Sequence, residues 1–84
     1  MSEQKAKLAA DVIEIIATLT GLDAEEIKTA DRLREDLGLD SLQSMELLSR
    51  ICDRYSIDVE LEDVASLSTV GEVIEKLDCL LPSQ

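Results

Sequence analysis

The sequence predicts an all-α domain of four helical pieces around one small core. Three observations carry this. Apolar residues recur at three- and four-residue spacing in separate stretches, residues suited to cap helices stand at the head of those stretches, and no segment reads as a credible strand. A length of 84 residues holds a single domain with one modest core. The folded part is expected over 5–80 of the single 1–84 domain, with 1–4 and 81–84 as flexible tails.

The first helix is read over 5–20, where Leu8, Val12, Ile15, Ile16 and Leu19 form one apolar stripe and Gly21 supplies a left-handed stop. Asp23-Ala24-Glu25-Glu26 fits a capping box that starts a single turn, with Ile27 pointing back to the core. From 28 to 40 no helical period is sustained. Leu33, Leu37 and Leu39 are spaced to pin this connection as a long ordered loop between the first and second helices.

The second helix runs over 41–55. Asp40 is a favoured N-cap, and Gln43 three residues later completes a capping box. Leu47, Leu48, Ile51 and Tyr55 form its inward stripe, while Leu42, Met45 and Ser49 fall on a face nearer solvent. The pattern breaks at Ser56-Ile57-Asp58-Val59, with Val59 an inward anchor. A short third helix over 62–66 contributes Val64, and Leu67 packs just beyond it. Ser68 or Thr69 caps the fourth helix, where Thr69-Val70-Gly71-Glu72 fits a capping box. Val70, Val73, Ile74, Leu77 and Leu80 make its stripe, and Pro82 marks its end.

Composition removes several function classes. The hydrophobic share of 45% and the charged share of 32%, spread along the chain, belong to a folded protein. A net charge of -11 and a pI near 4.1 disfavour nucleic acid and anionic membranes. They favour a monomer whose partners carry basic docking faces, although solubility alone is an equally good account of the acidity. With no histidine, the usual general base and the commonest metal ligand are missing. Cys52 and Cys79 form no metal or disulfide pattern and read as small apolar residues on buried helix faces. The acidic stretch 31–42 fails as a calcium loop, because the EF-hand spacing would begin on Leu33 and end on Ser44. Without a signal-like segment or a membrane-length apolar run, the expected location is cytoplasmic, with no membrane insertion.

One stretch carries chemistry: Gly38-Leu39-Asp40-Ser41-Leu42-Gln43-Ser44-Met45-Glu46-Leu47. It places the Ser41 hydroxyl at the mouth of an amphipathic helix, where free N–H groups and the helix dipole favour an anion. That suits the attachment of a phosphate-linked group. The segment resembles the modification site of acyl carrier proteins, in which the serine of an Asp-Ser-Leu triplet bears 4′-phosphopantetheine. Residues 12–77 also follow that family's layout of helices and loop.

The resemblance implies a small antiparallel four-helix bundle and covalent modification of Ser41. A separate phosphopantetheinyl transferase would draw the group from coenzyme A and activate the hydroxyl. The product is a flexible arm ending in a thiol that holds acyl groups as thioesters, so the protein presents substrates and is not an enzyme. No resident metal is implied. Asp40 and Leu42 flank Ser41 on the recognised surface, where Asp40 helps place the transferase's metal. Leu42 and Met45 become apolar contacts for partner enzymes, and Glu46 part of an acidic docking edge. Further partners are an acyl-loading ligase or acyltransferase and a synthase or other acyl-processing enzymes. The core is expected to part between the second and third helices to shelter an acyl chain.

Each residue also has a plainer explanation. Serine commonly begins a helix, and Asp40 as an N-cap stabilises it by about 1 kcal/mol. Exposed apolar residues are ordinary when scattered, and Glu46 is spaced to pair with Arg50 four residues on. Arg50 and Arg54 depart from the carboxylate-rich second helix of the fatty-acid carriers. They balance Glu46 and Asp53, while the acids Asp58, Glu60, Glu62, Asp63, Glu72 and Glu75 follow with no base among them. Helix support and a docking face altered for dedicated partners stay open as explanations. The second favours a specialised lipid or polyketide pathway over bulk fatty-acid synthesis. Two other functions stay open: an aminoacyl or peptidyl carrier loaded by an adenylating enzyme, and an acidic adaptor of the same fold that never uses Ser41.

Overall fold

The computed structural model describes residues 3–60, 62 and 66–81. Among them are three α-helices: α1 (Glu3–Thr20), α2 (Ser41–Tyr55) and α3 (Val70–Leu80), with a 3-10 turn at Ala24–Glu26. The described residues form no strand, and their one sheet-like feature is an isolated bridge between Arg32 and Thr69. The short helix expected over 62–66 lies outside the described residues except at its two ends, as do its anchor Val64 and the stop at Pro82.

α1 packs against both other helices. Asp11 at the middle of α1 pairs with Arg54 near the end of α2, while Leu19 near the end of α1 accepts a bond from Gln43 at the start of α2. Gln4 donates to Asp78 at 3.4 Å, and Lys5 pairs with Glu75, so the head of α1 meets the tail of α3. Both neighbours therefore run antiparallel to α1, and α2 and α3 run in the same direction. The long 28–40 and 56–69 connections permit this arrangement.

The predicted stripes face one core. Leu8, Val12, Ile15 and Ile16 of α1 are buried with Leu47, Leu48 and Ile51 of α2 and with Val70, Val73, Ile74 and Leu77 of α3. Leu19, Tyr55, Val59 and Leu67 pack half-buried around it. Three expectations are corrected. α1 begins at Glu3 and not at Lys5, and its first turn is held by the Gln4 and Lys5 contacts. Leu81 is buried (8% exposed) and Leu80 is exposed (40%), the reverse of the expected roles. At Leu81 the backbone turns extended while its N–H still bonds Leu77, which places this side chain a full helical turn beyond Leu77. Cys79 is exposed, outside the α3 stripe, whereas Cys52 packs half-buried against the core.

Gly21 ends α1 as expected, at φ 80, its N–H bonding Ala17. Ser56, without glycine's freedom, adopts the left-handed conformation that ends α2. Asp23 makes no side-chain cap on the 3-10 turn, contrary to the predicted capping box. Thr69 does cap α3, accepting from the Glu72 N–H at 3.2 Å, but the Glu72 carboxylate accepts from the Thr69 hydroxyl and not from its backbone.

The 28–40 loop is ordered for a reason beyond its three leucines. Leu33, Leu37 and Leu39 are all buried, and the backbone joins the start of α3 through Leu33 N–H to Ser68, Val70 N–H to Asp31 and Gly71 N–H to Thr29. These bonds satisfy loop groups that would otherwise lie unpaired against the core. They also set where the loop delivers the chain into α2.

Candidate functional site

α2 starts with its capping box fully formed. The Asp40 carboxylate accepts from the Gln43 N–H at 2.8 Å, and the Gln43 side-chain carbonyl accepts from the Asp40 N–H at 3.3 Å. The amide end of Gln43 donates to the Leu19 carbonyl at 3.2 Å, tying the tail of α1 to the head of α2. Capping thus decides where α2 begins, and Ser41 becomes its first helical residue with an exposed side chain.

Arg34 approaches Ser41 from the loop, its guanidinium donating to Oγ at 3.0 Å. The hydroxyl accepts this bond, so its own proton remains available to an outside base. Beside Ser41 opens a cavity of about 620 Å³ whose apolar wall includes Leu47, Leu48, Leu67, Val73 and Leu77. Arg32 and Arg34 stand at the same opening. Arg32 is engaged by Glu35 and by Asp36, whose carboxylate also accepts from the Arg32 backbone N–H at 2.8 Å. That backbone bond, followed by the Arg32 charge, holds the Asp36 carboxyl below its usual range.

Sequence reasoning did not find Arg34. It lies in a stretch without helical period, and only the folded loop brings it to Ser41. The other expected site residues are placed as follows. Leu42 and Met45 are exposed beside Ser41, at 73% and 49%. Glu46 is exposed and pairs with Arg50 at 3.2 Å, the four-residue spacing anticipated for helix support. Arg54 bonds Asp11 of α1 at 2.9 Å, while Tyr55 donates its hydroxyl to the other oxygen of Asp11. Burial first, and then the Asp11 bond, push the Tyr55 phenol up to about 12. The structure thus gathers Leu42, Met45 and Glu46 near Ser41 and commits Arg54 to a contact between helices.

Residues 10–77 match the family described as phosphopantetheine attachment site. The chain is 36% identical over 77 residues to an acyl carrier protein of an Exiguobacterium species, covering 92% of this chain and 98% of that one. This chain belongs to the acyl carrier protein family. It is also 34% identical to the meromycolate extension acyl carrier protein of Mycobacterium leprae, over 88% of this chain and 64% of that longer protein. Among solved structures, it resembles a candidate acyl carrier protein of Mycobacterium tuberculosis with a TM-score of 0.78 and 25% identity, covering 86% of this chain and 96% of that one. The carrier's cofactor is 4′-phosphopantetheine, and no helix among the described residues is long and apolar enough to cross a membrane.

Proposed function

We propose that this carrier holds acyl groups as thioesters on a 4′-phosphopantetheine arm attached to Ser41 and presents them to enzymes of lipid or polyketide biosynthesis. The observation that carries the proposal is the exposed Ser41 hydroxyl at a fully capped helix start, opening onto an apolar cavity. The residues present fit the group. The Ser41 proton is free of acceptors in the described bonds, and the Asp40 carboxylate beside it is occupied by capping.

When attached, the group supplies a flexible arm and a terminal thiol. The chain's own residues do simpler work. Ser41 provides the accepting oxygen, while the base that removes its proton belongs to the transferase. The Asp40–Gln43 box and the Gln43–Leu19 bond hold that oxygen at a constant position on the bundle. Leu42 and Met45 offer apolar contact to the transferase and acyl-processing partners, with Glu46 and Arg50 as their polar border. Leu47, Leu48, Val73 and Leu77 shield a hydrocarbon chain from water, each buried CH2 being worth about 0.8 kcal/mol. The protein acts as a carrier and not as an enzyme, in the cytoplasm and as a monomer. The name of the Mycobacterium leprae relative, meromycolate extension, supports a specialised lipid pathway.

Incubation with coenzyme A and a broad-specificity phosphopantetheinyl transferase tests the site. Wild type gains the phosphopantetheine mass and Ser41→Ala does not. An unmodified wild type beside a loaded control carrier would reject Ser41 as the attachment point and favour the adaptor. Mass analysis of cargo from the native cell separates acyl from aminoacyl loading.

A further inference from the structure

We propose that Arg34 is a positioning residue for the arm: its guanidinium pairs with the phosphodiester on Ser41 and keeps the base of the arm at the rim of the cavity. This rests on the Ser41 reading and goes beyond it, because attachment by itself requires no cation from this chain.

Among the described residues, the other three arginines all have carboxylate partners. Arg32 pairs with Glu35 and Asp36, Arg50 with Glu46, and Arg54 with Asp11. Arg34 has no ion pair there, in a chain of net charge -11, and spends its bond on the neutral Ser41 hydroxyl at 3.0 Å. A phosphate gives the guanidinium an anionic partner in place of a neutral hydroxyl, and arginine's planar fork matches phosphate oxygens. Esterification of Ser41 places an anionic phosphate on the very oxygen that Arg34 contacts. The neighbouring acids do not compete strongly for Arg34, since Glu35 and Asp36 are both engaged by Arg32.

Position gives the pair a consequence. The exposed Arg34 and Ser41 line the same cavity as the buried Val73 and Leu77 of α3. Fixing the base of the arm there leaves fewer arrangements to lose when its cargo enters the cavity. The Leu33 N–H bonds Ser68 just before Arg34, and the Arg34 carbonyl itself accepts from the Gly38 N–H at 3.1 Å, so the side chain reaches Ser41 from a fixed root.

The test uses the full-length carrier loaded in vitro, with mass spectrometry to verify equal loading and circular dichroism to verify folding. Phosphorus NMR then reads the phosphodiester directly. In wild type its resonance shifts with added salt as the pair is screened, and a through-space cross-peak links the phosphorus to guanidinium protons. Loaded Arg34→Gln loses both effects, and its resonance sits at the wild-type high-salt position. Arg34→Lys retains part of the salt dependence, as expected of a point charge without the fork. Loaded wild type whose phosphorus is insensitive to salt and shows no guanidinium cross-peak would overturn the inference, a measurement independent of any variant's folding. A loaded Arg34→Gln identical to wild type would overturn it as well while leaving Ser41 intact. A wild type that takes no arm removes the Ser41 reading, and this inference with it.

Discussion

Gln43 allows the clearest test of how the site is built, because one side chain makes two separable bonds. Its carbonyl end accepts from the Asp40 N–H at 3.3 Å, and its amide end donates to the Leu19 carbonyl at 3.2 Å. The other bond of the box, from the Gln43 backbone N–H to the Asp40 carboxylate at 2.8 Å, survives any substitution except proline. Gln43→Ala therefore loses two bonds, each with a net worth of about 0.5–1.5 kcal/mol. Both are long, so the low end applies, and alanine's better helix propensity returns a few tenths of a kcal/mol (roughly 0.3). The expected net loss is about 0.7 kcal/mol, a fall in Tm of about 3–6 °C for a domain of this size. Gln43→Glu distinguishes the two bonds, since a carboxylate still accepts from Asp40 but turns an acceptor toward the half-buried Leu19 carbonyl. Glutamate is the stronger capping-box residue, so a local view of α2 predicts that it stabilises. The tie to α1 predicts the opposite, a loss at least equal to that of alanine. Thermal and urea unfolding followed by far-ultraviolet circular dichroism decide between them. A Gln43→Glu variant more stable than wild type would refute the claim that Gln43 fastens α2 to α1.

Further outcomes follow from other contacts. Asp40→Ala lowers stability by about 1 kcal/mol, while Asp40→Asn keeps the cap; loading rates for the stable Asn variant then report recognition of the carboxylate alone. The phenol of Tyr55, the one tyrosine in the chain, titrates near 12 and not at 10.0, and Asp11→Asn brings it down, both visible by near-ultraviolet absorbance. Since its folded value is raised, the stability tied to the protonated phenol is complete below pH 10 and is lost as pH rises toward 12. The Asp36 carboxyl behaves in the opposite sense: its contribution is present above its ordinary value of 3.8 and lost as pH falls through the lower folded value. Asp36→Asn should remove that part of the acid unfolding curve. Ile51→Ala, at a position with no exposure, should cost about 2–5 kcal/mol and leave a population of unfolded chains measurable by hydrogen exchange.

Local features of the chain account for much of what the structure shows. The stripe from Leu8 to Ile16, the pair Leu47 and Leu48 with Ile51, and Val70 to Leu77 are legible because a helix repeats its buried face every 3.6 residues or so. Asp40 and Gln43 were legible for the same local reason, since a capping box closes within four residues. Ser41 at the head of α2, and Leu42 and Met45 on the exposed face, come from these patterns alone. The Asp23 cap failed because the same composition supports a turn with or without a side-chain bond. Leu80 and Leu81 are adjacent apolar residues at a helix end, where periodicity stops choosing between them.

By itself, then, the sequence determined the three helical segments among the described residues, the faces they bury, and which hydroxyl stands at a helix mouth. Tertiary structure alone decided what comes to meet that hydroxyl. Arg34 reaches Ser41 because the loop is bonded to the head of α3 through Leu33, Val70 and Gly71. Arg54 and Tyr55 turn to Asp11, and Gln43 to Leu19, because α1 lies antiparallel along α2. The physical reason is range: a cap or a stripe is set by bonds within one helical turn, whereas these partners meet only when backbone bonds and a shared core have fixed separate elements against one another.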